Sequence, residues 1–346
     1  MPPDKQSFSV AWVGSAAASG FCTAISLPFP QTVATRSNED EPTMNKPVSG
    51  DRTGRASTGR WVPEEASDLS PLAEITDLIE HMRVVVLTGA GCSTESGIPD
   101  YRGPKRENSH PEPITYQEYV GSRSVRRRYW ARAMLGWPRF AAAEPNDAHR
   151  AIAELEERGV VEGVITQNVD RLHQQAGSGN VVELHGALAD VRCLDCESVE
   201  PRDQLQGRLA ADNPAWAEQN AELAPDGDAE LPTEIPDDFT LPVCLECGGT
   251  LKPDVVFFGE NVPEATVDRA WRLWSDGEAL MVVGSSLTVW SGYRFVRRAA
   301  ASMMPVVIVN LGPTRGDDEA WIRMQARAGE AMAELARRVG RDGPGP

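Results

Sequence analysis

Short apolar runs alternate with amphipathic stretches along the chain from about residue 69 onwards. Four runs rich in Val, Ile, Leu and Met end at a polar residue or a glycine and predict buried strands, at 83–88, 163–166, 280–284 and 306–310. Amphipathic patterns over 148–158 and 263–274 predict helices between these strands. Because strands alternate with helices, the sequence predicts an α/β fold with a doubly wound, parallel, Rossmann-like sheet.

The first predicted helix follows Ser70 and Pro71. Its apolar residues Leu72, Ile75 and Ile79 recur at the spacing of one helix face. Serine is a frequent N-cap residue, and proline is well tolerated at the first helical position. We therefore expect Ser70 to cap this helix and Pro71 to begin it.

Two segments depart from the alternation of strands and helices. Residues 1–65 are rich in Ser, Thr, Ala, Pro and Gly, which predicts a disordered N-terminal tail, or an upstream start with Met44 as the true initiator. Residues 189–255 contain two cysteine pairs among Pro, Asp and Gly, and they predict a small inserted domain. Residues 66–188 and 256–340 then form the large Rossmann-like domain.

The charge balance narrows the range of partners. The chain has 51 Asp and Glu against 34 Lys and Arg, a formal net charge of −17. Nucleic-acid binding needs a basic face, so this balance argues against nucleic acid as a partner. No run of about 20 apolar residues occurs, so we expect no membrane association. We expect the protein to be a monomer.

Four of the six cysteines form two C-x-x-C pairs, Cys193 with Cys196 and Cys244 with Cys247. Two such pairs predict a closed tetrahedral thiolate site for one structural zinc ion, which stabilises an insertion too small to build its own core. A redox dithiol is the alternative, but it needs only one pair. Thiolate ligands favour a reducing compartment, so we expect a cytoplasmic protein.

A glycine-rich turn directly follows the first predicted strand. Backbone N–H groups in such a turn, at the start of a helix, can bind a pyrophosphate, although a plain tight turn is the alternative. The turn is not of the G-x-G-x-x-G form, which disfavours an ordinary hydride-transferring dehydrogenase. Cys92 within it is a small residue or, alternatively, a nucleophile. The candidate cofactor-binding residues of this loop are Gly89, Ala90, Gly91, Ser93, Gly97, Asp100, Tyr101 and Arg102.

Polar residues follow the second predicted strand and include Gln167, Asn168 and Asp170. Ligands of open α/β sheets bind beyond the carboxyl ends of the strands, where these side chains can hold ribose hydroxyls and a carboxamide. Helix capping by Asn168 or Asp170 is the alternative. His185 lies between this cluster and the cysteines, and its imidazole is suited to be a general base, although a lone histidine is often structural.

Together these motifs resemble those of the sirtuins, the NAD-dependent protein-lysine deacylases. The resemblance covers residues 70–338, and the glycine turn, the polar cluster, His185-Gly186 and the cysteine pairs follow the family's order. The family's later cofactor-binding turns match further residues, namely Gly284, Ser285, Ser286, Asn310, Leu311, Gly312 and, where a last adenine contact is expected, Ala328.

The resemblance implies a reaction and roles for particular residues. The acyl group of an acylated lysine in a protein substrate is transferred to ADP-ribose, and nicotinamide is released from NAD. Asn168 and Asp170, with the backbone of Val169, would hold the nicotinamide carboxamide, and His185 would take a proton from a ribose hydroxyl. The substrate backbone would add as a strand beside Val256, Phe257, Phe258 and Gly259.

Within the family, the chain looks most like the class II branch, typified by mitochondrial sirtuin 4. The segments that carry this likeness are 128–132, 136–138, 224–228, 251–260, 291–295 and 312–315. Tyr129 and Arg132 are similar to the Tyr-x-x-Arg pair with which some sirtuins bind an acyl carboxylate, so we expect acidic or branched acyl groups. Pairing of Arg132 with a protein carboxylate is the alternative. Tyr101 stands where most of the family has Phe.

Three other functions are compatible with parts of this pattern. A protein ADP-ribosyltransferase would use the same NAD site. A non-catalytic NAD- or ADP-ribose-binding module would be expected to lack His185, Asn168 and Asp170, which are all present. A zinc-ribbon nucleic-acid binder is disfavoured because the sequence between the cysteine pairs is acidic.

Overall fold

The computed structural model describes residues 67–100, 113–217 and 238–340. The predicted N-terminal tail, the candidate cofactor residues Tyr101 and Arg102, and the class II segment 224–228 lie outside the described residues. None of the helices in the described ranges is long and apolar enough to cross a membrane.

The described residues form two sheets and ten α-helices. The strands are β1 Val84–Thr88, β2 Val161–Thr166, β3 Val181–Glu183, β4 Gly186–Cys193, β5 Val199–Pro201, β6 Leu251–Val255, β7 Ala279–Val283, β8 Val306–Val309 and β9 Ile322–Met324. The helices are α1 Leu72–Glu80, α2 Tyr116–Gly121, α3 Arg123–Ala141, α4 Asp147–Glu157, α5 Leu172–Ala176, α6 Arg202–Asp212, α7 Pro214–Ala217, α8 Glu264–Asp276, α9 Trp290–Ala301 and α10 Ala328–Arg338.

The large sheet has six parallel strands in the order β3-β2-β1-β7-β8-β9. Side chains alternate between the two faces of a strand, and in β1 both faces are covered. Val84 and Val86 pack in one core cluster with residues of α1, α4 and α10, whereas Val85 and Leu87 pack in another with residues of α8 and α9. The predicted doubly wound, Rossmann-like sheet is therefore confirmed.

The start of the first helix differs from the expectation. The helix begins at Leu72, Pro71 is its N-cap residue, and that cap has no side-chain hydrogen bond. The Ser70 amide instead donates to a carboxylate oxygen of Asp68 at 2.9 Å, so Ser70 belongs to the preceding turn. The prediction that Ser70 caps the helix was wrong because the Ser70 side chain also hydrogen-bonds to the Asp68 carboxylate, in the turn before the helix.

A separate three-stranded antiparallel sheet, in the order β5-β4-β6, carries the cysteine pairs. We call β4, β5, β6, α6 and α7 the small module. Its core contains Val191 and Leu205, together with Tyr129, Trp130 and Met134 from α3. A helix that precedes β2 in sequence therefore packs on the small module, whereas the sequence analysis assigned it to the large domain. The domain boundaries themselves remain a prediction.

Candidate cofactor and catalytic site

The turn that follows β1 and the turn that follows β7 meet at the carboxyl edge of the large sheet. The Gly91 amide donates to the Gly284 carbonyl oxygen at 2.8 Å. Gly284 has a φ of +62°, and a Cβ atom there would lie 2.2 Å from the Cys92 amide nitrogen. A Cβ atom on Gly89 would lie 2.8 Å from the Cβ atom of Ser285. These close approaches require glycine, and they hold the two turns against each other.

The loop that continues from the first turn is hydrogen-bonded to the start of α4. It forms two short 3-10 turns, Ala90–Cys92 and Thr94–Ser96, and then Gly97 at a φ of +84°. Asn146, the N-cap residue of α4, accepts the amide of Ala148 and donates from Nδ2 to the Cys92 carbonyl oxygen at 2.8 Å. The candidate cofactor loop is therefore shaped by α4.

A hydrogen-bonded cluster joins this loop to the end of β2. The Ser93 hydroxyl donates to Oδ2 of Asp170 at 2.7 Å, and Nδ2 of Asn168 donates to Oγ of Ser93 at 3.0 Å and to the Gly89 carbonyl oxygen at 3.1 Å. Oδ1 of Asp170 accepts the Leu172 amide at 3.0 Å in the turn before α5, whose N-cap residue is Arg171. Burial raises the pKa of Asp170, and the hydrogen bonds from Leu172 and Ser93 oppose that shift.

Gln167 connects the ends of three strands. Its Nε2 donates to Oγ of Ser285 at 2.7 Å, beyond β7, and its backbone amide donates to the Thr88 carbonyl oxygen at 2.9 Å. Its own carbonyl oxygen accepts from His185. The polar cluster, the two turns and His185, which the sequence analysis selected separately, therefore lie together at one edge of the sheet.

His185 lies between β3 and β4, where the large sheet meets the small module. Its backbone carbonyl accepts the Val256 amide at 2.8 Å. Nδ1 lies 2.9 Å from the Gln167 carbonyl oxygen, and Nε2 lies 2.7 Å from Oγ of Ser291. Burial, with a smaller contribution from Arg294, lowers the pKa of His185 to about 4 against the opposing hydrogen bond to Gln167. The imidazole is therefore neutral at pH 7 and able to accept a proton.

Two further histidines lie beneath the cofactor loop, and the sequence analysis did not select them. His149 and His173 have ring centroids 4.8 Å apart, and each offers a ring nitrogen within 4.8 Å of Sγ of Cys92. Burial lowers the pKa of His149 to about 4 and of His173 to about 3, and it raises the pKa of Cys92. Cys92 is thus a buried neutral thiol, which favours the small-residue interpretation over a nucleophile.

The three histidines whose pKa is lowered predict acid-sensitive stability. Each pKa is lower in the folded state than its unfolded value near 6.5, so the stabilisation is complete above that pH and is lost as the pH falls towards 4. Each histidine should lower the free energy of unfolding by up to about 1.4 kcal/mol per pH unit in this range. The raised pKa of Asp170 acts in the opposite direction. Urea unfolding at pH 7, 6 and 5 measures the slope.

A substitution pair checks the source of that slope. His173→Gln removes one titrating group. It should therefore reduce the pH dependence of the free energy of unfolding by up to about 1.4 kcal/mol per pH unit. His81→Gln is the control, because His81 is exposed and its pKa is raised by a hydrogen bond to the Asp77 carbonyl oxygen. Equal slopes for the parent protein and His173→Gln would contradict this account.

The expected adenosine side lies beyond β7 and β8. The Gly284 amide donates to the Val309 carbonyl oxygen at 2.9 Å, and Nδ2 of Asn310 donates to the carbonyl oxygens of Leu311 and Gly312. Ser286 contacts Thr288 through their hydroxyl groups at 3.1 Å. Asn310 therefore shapes its own turn beside the Gly284 turn.

Ala328 is joined to the same edge through the cofactor loop. It is the first residue of α10, and its neighbour Gly329 donates from its amide to Oε2 of Glu95 at 2.8 Å. Asp100, at the end of the described part of the cofactor loop, is half-buried. The described cofactor candidates thus lie on adjoining strand ends and on segments bonded to them.

The four cysteines of the small module form one sulfur cluster. Sγ atoms of Cys193 and Cys247 are 3.6 Å apart, and those of Cys196 and Cys244 are 3.7 Å apart. Tetrahedral Zn–S bonds of about 2.3 Å place two sulfurs about 3.8 Å apart. Backbone amides also donate to the sulfurs, for example Asp195 to Cys193 at 3.4 Å. The cluster therefore fits one structural zinc ion, as the spacing predicted.

The predicted substrate residues lie where α3 meets the chain after β6. Tyr129 packs against Phe257, with ring centroids 5.5 Å apart, and Arg132 is buried one turn further along α3. The Phe258 carbonyl oxygen accepts the Tyr116 amide at 2.9 Å, and Gly259, at a φ of +79°, accepts from Gln117. Val256 is bonded to the His185 carbonyl oxygen, so this segment adjoins the histidine.

Fold and site together define an α/β protein with a polar cluster at the strand ends and a small module that carries four clustered thiols. A family model described as the Sir2 family matches residues 89–291. The chain belongs to the Sir2 family, the sirtuins.

Relatives and solved structures agree with this family. The chain is 52% identical to an "NAD-dependent protein deacetylase" of Xanthomonas campestris pv. campestris (strain 8004), over 74% of this chain and 87% of that protein. It is 49% identical to "NAD-dependent protein deacetylase 1" of Streptomyces coelicolor, over 81% of this chain and 94% of that protein. Among solved structures, "Sir2-p53 peptide-NAD+" matches with a TM-score of 0.60 and 33% identity, covering 79% of this chain and 97% of that one. "Sir2 bound to acetylated peptide" matches with a TM-score of 0.61 and 30% identity, covering 78% of this chain and 99% of that one.

Proposed function

We propose that this protein is an NAD-dependent protein-lysine deacylase that transfers the acyl group to ADP-ribose and releases nicotinamide. The observation that carries this proposal is the link from His185 through the Gln167 carbonyl oxygen to the polar cluster beside the glycine turn. This link supports a role for His185 as a general base beside a dinucleotide bound at the strand ends. The Sir2 family membership of the chain supports the same reaction.

Different segments of the site suit different parts of NAD. The backbone of the Gly89–Gly91 turn would bind the pyrophosphate, and the turns after β7 and β8, with Ala328, would bind the adenosine. Asn168, Asp170 and the Val169 backbone would hold the nicotinamide carboxamide. When bound, NAD supplies the ribose–nicotinamide bond that is broken and the ribose hydroxyl that receives the acyl group.

Ser93 keeps the nicotinamide side of the cleft in place. Its hydroxyl donates to Asp170 and accepts from Asn168, so both side chains are oriented before a ligand arrives. His185 then takes a proton from the ribose hydroxyl. Because its pKa is lowered, the imidazole is unprotonated throughout the neutral range.

An acylated lysine of a protein substrate would enter between the small module and the large sheet. Its backbone would pair as a strand beside the segment 256–259, and its acyl chain would lie towards Tyr129 and Phe257. Phe258 is 42% exposed, which leaves a large apolar side chain available to a substrate at this position. Phe257 packs on Tyr129 and would line the path of the acyl-lysine.

The test of this function is the dependence of deacylation on NAD. With an acetyl-lysine peptide, one nicotinamide should be released for each lysine freed, and no deacylation should occur without NAD. The alternative is a protein ADP-ribosyltransferase at the same site. It predicts that label from the adenosine part of NAD stays on the acceptor protein, and that acylated lysine is not consumed.

We place the chain in the class II branch, on the segments quoted above, and we propose a preference for acidic or branched acyl groups. Arg132 is 9% exposed and lies one helical turn from Tyr129, and a buried guanidinium suits an anionic partner such as an acyl carboxylate. Pairing of Arg132 with a protein carboxylate would weaken this preference.

Arg132→Ala should therefore lower kcat/KM for succinyl- and glutaryl-lysine peptides by about 10- to 100-fold, because a charged hydrogen bond is lost. The acetyl-lysine peptide should lose much less. Arg123→Ala is the control, since Arg123 is exposed at the start of the same helix. A clear preference for acetyl peptides that Arg132→Ala leaves unchanged would contradict the proposal.

The remaining properties follow from the same features. The thiolate cluster supports one structural zinc ion and a reducing, cytoplasmic location. The acidic composition supports protein substrates rather than nucleic acid, and we propose that the enzyme acts as a monomer without membrane association.

A further inference from the structure

We infer that Ser291 is a proton relay between the ribose hydroxyl of bound NAD and His185, an inference that rests on the proposed function. Ser291 lies in the first turn of α9, 106 residues from His185 in sequence. Its Oγ lies 2.7 Å from Nε2 of His185. The side chain is 3% exposed, so this contact lies inside the protein.

The hydrogen-bond partners of His185 assign its tautomer. A carbonyl oxygen can only accept, so Nδ1, which lies 2.9 Å from the Gln167 carbonyl oxygen, carries the hydrogen. In the neutral ring Nε2 is then unprotonated and has a single lone pair. That lone pair points at Ser291, whose hydroxyl donates to it. The nitrogen that must accept the ribose proton is therefore already bonded to a serine.

The position of α9 keeps Ser291 there. Gly292 packs against Gln167, and a Cβ atom on Gly292 would lie 2.6 Å from Oε1 of Gln167. The absence of a side chain at Gly292 thus allows the first turn of α9 to approach the cluster. The N-cap residue Val289 makes no side-chain hydrogen bond, and the Ser291 hydroxyl is used for His185 rather than for capping.

A relay agrees with this geometry better than displacement of the serine. Moving the Ser291 hydroxyl away from Nε2 would leave a buried hydroxyl without its partner, which is unfavourable. In a relay, the ribose O–H bond breaks as a new O–H bond forms on Oγ, and the original Oγ–H bond breaks as Nε2–H forms. The ribose oxygen keeps the electron pair for attack on the acyl carbon. Serine is regenerated unchanged, and the imidazolium carries the positive charge.

The test compares two reactions of the same enzyme. Exchange of labelled nicotinamide into NAD needs only cleavage and re-formation of the ribose–nicotinamide bond, whereas deacylation also needs the proton transfer. Ser291→Ala should lower deacylation by about 10- to 100-fold and leave exchange within about threefold of the parent enzyme. Ser291→Thr, which keeps a hydroxyl, should deacylate faster than Ser291→Ala.

Several outcomes would overturn the relay. If Ser291→Ala deacylates as fast as the parent enzyme or faster, the serine is simply displaced. If exchange and deacylation fall equally, the role of Ser291 is structural. If Ser291→Ala slows deacylation further in a His185→Ala background, the two residues do not act in series. Ser275→Ala is the control, because that hydroxyl lies on the exposed side of α8 and donates to the Trp271 carbonyl oxygen.

Failure of the proposed function has a different signature. In that case the parent enzyme itself shows neither NAD-dependent deacylation nor nicotinamide exchange. Nitrogen-15 NMR of the histidines also detects the hydrogen bond between Ser291 and His185 in the protein without NAD. His185 should show the Nδ1–H tautomer, and Ser291→Ala should shift the Nε2 resonance while the Nδ1 resonance stays nearly constant. An Nε2–H tautomer in the parent protein would contradict the relay.

Discussion

His185→Ala should lower kcat/KM for NAD-dependent deacylation by about 10²- to 10⁴-fold, the range typical of removing a general base. The substitution takes away the imidazole that contacts the Gln167 carbonyl oxygen beside the polar cluster. It leaves the glycine turn, Asn168 and Asp170 in place, so the binding of ADP-ribose should change little. Steady-state kinetics and calorimetric titration with ADP-ribose measure the two effects.

His81→Ala is the matched control for this experiment. His81 is exposed at the end of α1 and is bonded only locally, to the Asp77 carbonyl oxygen. Full activity is expected for this variant. A His185→Ala enzyme that retains more than about a tenth of the parent kcat/KM would show that another group is the base. Loss of ADP-ribose binding together with activity would indicate instead that His185 is structural.

Cys244→Ser should remove the bound zinc and lower the free energy of unfolding by about 3 kcal/mol or more, since zinc binding by small structural sites contributes about 10–16 kcal/mol. Cys244 lies in the core of the small module, which also contains residues of α3 and α6. Without the metal, this core should loosen, and the predicted substrate residues Tyr129 and Arg132 should lose their fixed positions. Metal analysis and urea unfolding measure the two quantities.

Leu245→Ser is the control for the zinc experiment. Leu245 lies between the cysteines of the second pair and is 73% exposed, so its replacement keeps four thiolates and little packing is lost. One zinc ion per chain and nearly parental stability are expected. If Cys244→Ser retained stoichiometric zinc, or if the parent protein bound none while remaining stable and active, the structural-zinc assignment would be wrong.

The parts of the fold that the sequence predicted are those with local causes. The first four residues of β1 form an unbroken apolar run, and the structure buries all four between two helix layers. The zinc cluster followed from spacing alone. The candidate cofactor residues met at one edge because the carboxyl ends of parallel strands necessarily do so.

The remaining features depend on contacts between distant segments. Nothing near Ser291 in sequence indicates that it meets His185, and the approach needs a glycine at the next position to admit Gln167. His149 is the polar residue among the buried positions of the amphipathic helix α4, and its burial under the cofactor loop follows from the placement of that helix.

The packing of α3 on the small module was missed for a related reason. Its apolar residues predict a buried helix face, but the sequence does not say which of two cores that face joins. The observed choice places Tyr129 beside Phe257. The residues predicted to contact the acyl group therefore come from a helix that precedes β2 and from a segment that follows the second cysteine pair.

The most direct test of the proposed reaction is the chemical fate of the acyl group. When the enzyme is supplied with NAD and an acetyl-lysine peptide, mass spectrometry should find O-acetyl-ADP-ribose in an amount equal to the lysine freed. Free acetate formed without consumption of NAD would contradict the account, and so would a peptide that gains ADP-ribose while it keeps its acetyl group.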